Sequence, residues 1–259
     1  MSSKKLKIFK VFDENPQLFS TQKLSIDKNK VNDVLSQLYS PGESYQFIYD
    51  FSVRQFHYVS KSVYNILGER PETFNEESFL DRIHPEDLDH FLNCERISGH
   101  FLFNHINKET IPHYKVSYQM RMRDDTGNYK LILHQGIALV MDEKMSLVAT
   151  LINHSDISHI TNENNYKISF INIKGGQSYF DIDSITDLDV KVSKSVSLLS
   201  KREIEILRHL SEGLSTKDVA ESLYISPDTV RTHRNNILKK TDFKNISEAV
   251  AYFIRNGLI

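Results

Sequence analysis

The sequence predicts an α+β protein in which a five-stranded antiparallel sheet with short helices is followed by an all-α unit of four helices. One observation behind this prediction is the alternation of side-chain character along residues 114–123, which is typical of a strand with two different faces. The other is a series of helical periodicities with capping residues, which runs from residue 200 to the C-terminus. The sheet and the four helices therefore belong to separate parts of the chain.

Five segments between residues 45 and 160 have the character of strands. Two short aromatic segments, YQFIYDF and QFHYVS, surround a turn, and two helical stretches, SVYNILGE and PEDLDHFLNCERI, come next. Three longer strands follow, YKVSYQMRMR, YKLILHQGIALVM and SLVATLINHSDI, with the turns DDTGN and DEK between them. This order predicts one antiparallel sheet combined with short helices.

Capping residues mark the starts of the C-terminal helices. Ser200 with Glu203, and Ser215 with Asp218, have the spacing of a capping box, and Ser226 before a proline begins a third helix. A short turn separates the second helix from the third, as in a helix-turn-helix unit. The remaining helix boundaries are predicted at Gly213, Ser247 and Gly257.

The third of these helices, in ISPDTVRTHRNNILKK, has two chemically different sides. At about 100° per residue, Val230, His233 and Ile237 lie on one side, where we predict contact with a core and interpret His233 as a packed histidine. The other side can bind nucleic acid, because arginine and asparagine pair with base edges and lysine suits a phosphate. An ordinary solvated face is the alternative for such a stripe taken alone. The outward residues are Arg231, Thr232, Asn235 and Lys239, with Asp228 among them.

The segment LSKREIEILRHLSEGLSTKDVAESLYISPDTVRTHRNNILKKTDF, with the terminal SEAVAYFIRNGLI, resembles the LuxR-type (NarL/GerE-like) DNA-binding domain over about residues 196–259. The resemblance implies a four-helix domain whose third helix enters the major groove and whose last helix often pairs in a dimer. It implies base contacts by Arg231, Thr232 and Asn235. The phosphate contacts that it implies are Thr216, Lys217, Ser226, Thr229, Arg234 and Lys239.

The distribution of charge agrees with a DNA-binding role for the C-terminal part. Residues 194–259 contain 11 Lys and Arg against 8 Asp and Glu, a net charge of +3, while the rest of the 259-residue chain carries −5. A single cysteine excludes an intrachain disulfide framework. No apolar run reaches membrane-spanning length, and none follows MSSKKLKIFK as a leader would require. We therefore expect a soluble, cytoplasmic protein without a membrane partner.

Residues 42–160 resemble a PAS domain through the strand order, the central FLDRIHPEDL and the closing SDISHI. The resemblance implies a pocket between the sheet and the short helices, and a structural role for Asp156. The expected lining is aromatic and apolar, which suits a neutral or planar organic ligand. A fully packed core without a cavity is the alternative. The residues predicted to line this pocket are Phe47, Tyr49, Phe51, Tyr114, Tyr118, Leu133 and Ile152.

Residues that suggest catalysis or a cofactor have plainer explanations. His84 precedes Pro85 at a helix start, where Glu86 and Asp87 favour the helix dipole, so we predict a cap. Cys94 lies well after FLDRIHPED, where its position does not match the flavin-binding light sensors of the PAS superfamily, so we predict packing against the sheet. The histidines form no HxxxH or HxH pair backed by acids. We predict no catalytic residue, metal site, haem or flavin.

Two further segments complete the predicted division into residues 1–41, 42–160, 161–195 and 196–259. The first is an N-terminal helical flank whose apolar stripe contacts either a second subunit or its own domain. The third comprises an appended hairpin at residues 166–180 and an interdomain linker, to which we assign no function. The apolar stripe consists of Val31, Val34, Leu35 and Leu38.

These features together predict a sequence-specific DNA-binding transcriptional regulator rather than an enzyme. We expect double-stranded DNA as the partner and a homodimer that pairs through Ala249, Tyr252 and Phe253 of the last helix. The PAS domain is expected to sense an unknown signal, with a small-molecule ligand, or to mediate dimerisation. The alternative is a protein-interaction module, or a photoreceptor or enzyme-like sensor, with DNA binding as its output. Receiver and acyl-homoserine-lactone domains fit less well, since no early acidic cluster with repeated βα units and no tryptophan occur.

Overall fold

The computed structural model describes residues 3–27, 31, 34–35, 38, 40–193, 199–241 and 243–259. Its N-terminal part is built on a seven-stranded sheet with the spatial order β2-β1-β5-β4-β3-β6-β7, in which all neighbouring strands are antiparallel. The strands are β1 (Ser44–Asp50), β2 (Gln55–Val59), β3 (Tyr114–Arg123), β4 (Tyr129–Met141), β5 (Leu147–Asp156), β6 (Ile168–Asn172) and β7 (Tyr179–Ile182).

Helices cover one face of this sheet and form the C-terminal part of the chain. Those of the N-terminal part are α1 (Ser3–Asp13), α2 (Val63–Leu67), α3 (Glu76–Arg82), α4 (Leu88–Asn104) and α5 (Ile185–Ser193). Those of the C-terminal part are α6 (Lys201–Ser211), α7 (Thr216–Ser222), α8 (Pro227–Thr241) and α9 (Ile246–Arg255).

The sheet has seven strands, so the prediction of five was wrong. The appended hairpin forms β6 and β7, and β6 pairs with β3 in register, with Val116 opposite Phe170. The physical reason is that β3 has a free edge in a five-stranded sheet, where its backbone N–H and C=O groups need partners. The segment interpreted as a linker contains α5.

The two faces of the sheet pack against different parts of the chain. The inner face holds the main core with α1, α3 and α4, and alternate residues of β3, including Tyr118 and Met120, point into it. On the outer face, Ile48 and Leu151 belong to a separate apolar cluster. The N-terminal stripe packs on this cluster through Val31, Val34, Leu35 and Leu38, while residues 28–30, 32–33, 36–37 and 39 of the same segment lie outside the described part.

The C-terminal helices dock on the polar side of β3. Ser117 Oγ donates a hydrogen bond to the carbonyl of Asn256 at 2.7 Å, and Gln119 Nε2 donates to Asn256 Oδ1 at 2.9 Å. Asn165 Nδ2 donates to the same Asn256 Oδ1 at 2.6 Å. The face of β3 that reads as solvent-facing from sequence is therefore an interdomain contact.

The strip of the last helix that was predicted to pair in a dimer is covered within its own chain. Ala249 and Phe253 are buried in the C-terminal core, and this core includes Ile171 and Phe180 of the hairpin β6–β7. Tyr252 donates a hydrogen bond to Asp181 Oδ1 at 2.5 Å. The hairpin therefore links the sheet to α9.

Lys115 is enclosed at the same junction. Its side chain belongs to β3 and is 4% exposed, although lysine is almost never fully buried without a charged partner. Burial lowers the pKa of Lys115 to about 7, and the nearby positive charge of Arg208 in α6 acts in the same direction. The junction thus contains a titratable group contributed by the sheet and a cation contributed by the helical part.

Candidate nucleic-acid interface and internal cavity

Helix α8 is oriented by its apolar side. Val230 and Ile237 have no exposed surface and lie in the core of the C-terminal helices, as the helical period predicts. His233 is half-buried on this side, and its Nδ1 has no hydrogen-bond partner among the described residues. The opposite side faces solvent and carries Arg231, Thr232, Asn235 and Lys239, all of them exposed.

The start of α8 is stabilised by its own side chains. Ser226 Oγ accepts a hydrogen bond from the backbone N–H of Thr229 at 3.1 Å, which is an N-cap contact. Asp228 lies in the first turn, where its charge favours the positive end of the helix dipole, and it forms an ion pair with Arg231. The guanidinium of Arg231 is therefore held near the N-terminus of the helix, at the solvent-facing side.

The turn before α8 is short and has one strained residue. Tyr224 has a φ of 53°, a left-handed conformation that costs energy for a residue other than glycine or asparagine, and its side chain is 95% exposed. The backbone N–H of Ile225 bonds to the carbonyl of Ala220 at 3.0 Å, and Arg202 Nη2 donates to the carbonyl of Leu223 at 2.7 Å. These contacts bind the turn to the end of α7 and to α6.

The residues predicted to contact phosphates divide into three exposed residues and three half-buried ones. Lys217, Ser226 and Lys239 are exposed around α8. Arg234 donates a hydrogen bond to Thr216 Oγ1 at 2.6 Å and so ties α8 to α7. The sixth residue, Thr229, is half-buried, and its hydroxyl bonds to that of Ser226.

Two capping boxes position the helices that support α8. Ser200 with Glu203, and Ser215 with Asp218, make the reciprocal hydrogen bonds predicted from their spacing. Glu203 is 2% exposed and also forms an ion pair with Lys240 at 2.7 Å, at the C-terminal end of α8. The start of α9 was predicted at Ser247 but lies two residues earlier, where Asn245 Oδ1 accepts from the backbone N–H of Glu248 at 2.9 Å.

A cavity of about 140 Å³ lies between the inner face of the sheet and the helices α1 and α4. An engineered apolar cavity of about this volume holds benzene. Of the residues predicted for a pocket, Phe47, Tyr49, Phe51, Tyr114 and Ile152 belong to the cavity wall.

Two residues predicted for the pocket lie elsewhere. Leu133 was placed on the wrong face, because side chains alternate along β4 and His134 is the neighbour that points inward. Leu133 packs outside the sheet with Leu131 and Ile157. Tyr118 lies behind the wall, where its ring stacks on His134 with 4.3 Å between ring centroids.

Polar groups interrupt the apolar wall at several places, among them Tyr49, Glu95 and His134. The hydroxyl of Tyr49 is buried without a hydrogen-bond partner among the described residues, although buried polar groups are normally bonded. Glu95 of α4 accepts a hydrogen bond from Tyr118 OH at 2.7 Å, and burial raises the pKa of Glu95 to about 7. His134 contributes an imidazole ring from β4. A ligand in this cavity meets an apolar wall with a few hydrogen-bonding groups, as is typical of small-molecule sites.

His134 is the end of a buried chain of hydrogen bonds. Its Nδ1 lies 2.9 Å from Nε2 of His154, whose Nδ1 lies 2.7 Å from the hydroxyl of Tyr45. Burial lowers the pKa of His134 to about 3 and that of His154 well below its usual range, so both rings are neutral near pH 7. Since each neutral ring has one donor and one acceptor, the tautomer of His154 decides which of these His134 offers at its other nitrogen.

A third group of residues has a structural role that the sequence only partly indicated. His84 caps the turn at residues 85–87 through its Nδ1, as predicted. Asp87, which was interpreted as a helix-dipole residue, is fully buried and binds both the backbone N–H and the guanidinium of Arg121. No local pattern reveals this pair, because the two residues are distant in the sequence and meet only when β3 forms.

Comparison with known families separates the same two parts of the chain. Residues 197–253 match the family of bacterial regulatory proteins of the luxR type, and residues 56–148 match the PAS fold. The chain carries a PAS domain and a LuxR-family domain. The LuxR-family match includes the whole of α8, and the PAS match includes most of β2, all of β3 and β4, and α2 to α4.

Relatives of the LuxR-family domain are transcriptional regulators. The oxygen regulatory protein NreC of Staphylococcus haemolyticus is 35% identical over 95 residues, which are 32% of this chain and 44% of NreC. The transcriptional regulatory protein LiaR of Bacillus subtilis is 44% identical over 61 residues, 24% of this chain and 29% of LiaR. The chain thus spans less than half the length of the curated relatives it matches.

The solved structures that match this chain are distant from it in sequence. A phage VqmA–DPO complex is 15% identical and aligns with 88% of this chain and 89% of its own, with a TM-score of 0.33. The PAS-containing N-terminal domain of a diguanylate cyclase from Marinobacter aquaeolei is 19% identical over 45% of this chain and 96% of its own, with a TM-score of 0.34.

None of the helices in the described part of the chain has the length and apolar character needed to cross a bilayer.

Proposed function

We propose that this chain is a sequence-specific DNA-binding transcriptional regulator, which acts in the cytoplasm and binds DNA as a homodimer. The supporting observation is the exposed side of α8, where Arg231, Thr232 and Asn235 stand on a helix anchored by Val230 and Ile237. These three residues read bases in the proposed complex, and Lys239 binds a phosphate. The phosphate set further includes Thr216, Lys217, Ser226, Thr229 and Arg234.

The test is a binding titration against a duplex selected from a random library and against a scrambled duplex. Arg231→Ala is expected to weaken the selected site by about 1–3 kcal/mol and to relax base preference. Lys239→Ala is expected to weaken both duplexes similarly and to flatten the salt dependence. Lys174→Ala removes an exposed cation from the β6–β7 turn and serves as the control. If Arg231→Ala loses the same binding free energy on both duplexes, Arg231 does not read bases.

A homodimer on DNA places two α8 helices in successive major grooves. Two-fold pairing implies inverted half-sites about 10 bp apart from centre to centre. Pairing through α9 requires release from the hairpin, because Asp181 holds Tyr252, and Ala249 and Phe253 are buried. Light scattering of the complex with one full site is expected to give two chains per duplex. One chain per duplex, with a footprint over one half-site, would refute the dimer.

The PAS cavity is proposed to bind a small neutral organic molecule with the size of about one six-membered ring. The volume of about 140 Å³ sets the size, and the unpartnered hydroxyl of Tyr49 supports a ligand that forms a hydrogen bond there. Glu95 and His134 add two further hydrogen-bonding positions. A charged ligand is disfavoured, because the wall is mainly apolar and the charge of its Glu76 is already paired with Lys5 at 3.1 Å.

Thermal melting of the full chain across a library of small neutral heterocycles and phenols tests this proposal. A hit is expected to raise the melting temperature of the wild type, and Tyr49→Phe is expected to weaken its affinity about tenfold. Because Tyr49→Phe keeps the ring and removes a buried unpaired hydroxyl, the ligand-free variant should be at least as stable as the wild type. The contrary outcome is that no compound raises the melting temperature of the wild type, and that Tyr118→Ala is destabilised only as much as a core truncation would be. The domain is then a dimerisation or protein-interaction scaffold.

A further inference from the structure

Two histidines and one aspartate converge where the C-terminal end of α4 meets α5. His100 lies near the C-terminal end of α4, and His105 immediately follows that helix. Their Nε2 atoms are 2.9 Å and 2.7 Å from the same oxygen, Oδ1 of Asp189 in α5. One ligand atom from each side chain lies within 4.8 Å of the others.

This donor set matches what divalent transition metals bind. Two imidazole nitrogens and one carboxylate oxygen form a three-ligand site of the kind that holds Zn²⁺, with a fourth position for water. Metal–ligand bonds of about 2.0–2.2 Å place the ligand atoms roughly 3.3 Å apart in tetrahedral geometry. The observed separations are a few tenths of an ångström shorter, as expected when one oxygen accepts two N–H groups without a metal. The Asp189 side chain is 47% exposed, so it has room to move outward.

The surroundings favour ligation in two ways. Asn104 Nδ2 lies 2.9 Å from Nδ1 of His100, and with its amide rotated the Asn104 oxygen accepts the Nδ1–H and leaves Nε2 free for a metal. Both imidazoles also already face one carboxylate oxygen, Oδ1 of Asp189, so the three ligand atoms lie close together before a metal binds.

We propose that His100, His105 and Asp189 form a binding site for a divalent transition metal such as Zn²⁺, which fastens α5 to α4. The sequence predicted no metal site, because His100 and His105 have five-residue spacing and Asp189 is far away in the chain. The position gives the site a mechanical consequence. Helix α4 contributes Glu95 and other residues to the cavity wall, while α5 directly precedes the segment that leads to the LuxR-family domain. The metal therefore cross-links the helix of the cavity to the segment before the DNA-binding domain.

The test uses the full chain without an affinity tag. Zn²⁺ is titrated in competition with a chromophoric chelator, and Co²⁺ is titrated while its visible d–d absorption is recorded. We expect one Zn²⁺ per chain and Co²⁺ bands typical of four- or five-coordination. Zn²⁺ is also expected to raise the melting temperature of the wild type by mass action.

Variants assign the ligands. His100→Ala, His105→Ala and Asp189→Asn are each expected to weaken Zn²⁺ binding at least 100-fold and to abolish the Zn²⁺-dependent rise in melting temperature. His57→Ala removes an exposed histidine from β2 and is expected to bind like the wild type. Circular dichroism of each variant without metal confirms that it is folded. If His100→Ala does not fold, His100→Gln replaces it. Failure of the wild type to bind one equivalent, or retention of binding in the folded His100 and His105 variants, would overturn the proposal.

Discussion

The Glu95 carboxyl lies between the apolar cavity wall and the hydroxyl of Tyr118, and its proton affinity reflects this position. Burial raises its pKa from 4.5 to about 7, while the hydrogen bond from Tyr118 opposes the rise. The folded chain therefore binds this proton more tightly than the unfolded chain does. It follows that the free energy of unfolding falls as pH increases from about 4.5 to about 7 and then stays at the lower value.

Glu95→Gln is expected to remove this pH dependence. The variant should be more stable than the wild type at pH 8, where the wild type buries a carboxylate, and similar to it at pH 4. Denaturant titrations at intervals between pH 4 and pH 8 measure the difference. Glu72→Gln, at an exposed loop position, is the control and should follow the wild type at all pH values. An unchanged difference between Glu95→Gln and the wild type across this range would contradict the assigned environment.

At the scale of single elements, the turn between α7 and α8 carries a removable strain. Tyr224 has positive φ and almost no packing, so its side chain contributes little to the folded state. Asparagine adopts this conformation more readily than tyrosine does. Tyr224→Asn is therefore expected to stabilise the LuxR-family domain by about 0.5–1 kcal/mol.

Thermal and denaturant unfolding of the full chain measure this gain. Tyr64→Asn provides a matched control, since Tyr64 is 57% exposed but lies within α2. The control is expected to show no stabilisation, because asparagine and tyrosine have similar helix propensities. A loss of stability in Tyr224→Asn would instead indicate that the aromatic ring contributes a contact on folding.

At the scale of the whole molecule, the end of the chain decides whether the two domains form one unit. Gly257 has a φ of 61°, and a side-chain carbon there would come within 3.0 Å of Leu133 and Ser117, and closer still to Gln135. All three neighbours belong to the outer face of the PAS sheet. Glycine fits this approach of the C-terminus to β3 and β4 without strain, whereas alanine would have to displace the ends of these side chains.

Gly257→Ala is expected to separate the domains. The radius of gyration from small-angle scattering should increase, and amide exchange should accelerate at residues 252–259. Gly213→Ala is the matched control, because Gly213 also has positive φ at a helix end but nothing lies within 4 Å of its added carbon. Both variants are expected to lose about 1 kcal/mol from backbone strain, whereas only Gly257→Ala should expand. Equal scattering curves for the two variants would refute the role of this contact.

The local features of the LuxR-family domain were predictable because they depend on neighbours in the sequence. The boxes at Ser200 and Ser215, the start of α8 and the inward position of Val230 and Ile237 all follow from helical geometry and capping chemistry. The alternation of β3 likewise predicted which residues enter the core. The exposure of Arg231 and Asn235 agrees with the helical period of α8. Their contacts with DNA stay a prediction.

The sequence by itself determined the two kinds of domain, the helix and strand periods and the solvent-facing side of α8, because these depend on local spacing. Only the tertiary structure decided that the hairpin β6–β7 continues the sheet, that Leu133 faces outward and that Ser117 and Gln119 bind Asn256 rather than water. The convergence of His100, His105 and Asp189 was likewise decided only by the tertiary structure. The physical reason is that a polar side chain on a strand or helix has the same local pattern whether it faces solvent or a distant partner. Its partner is chosen by strand register and by the face on which another element packs.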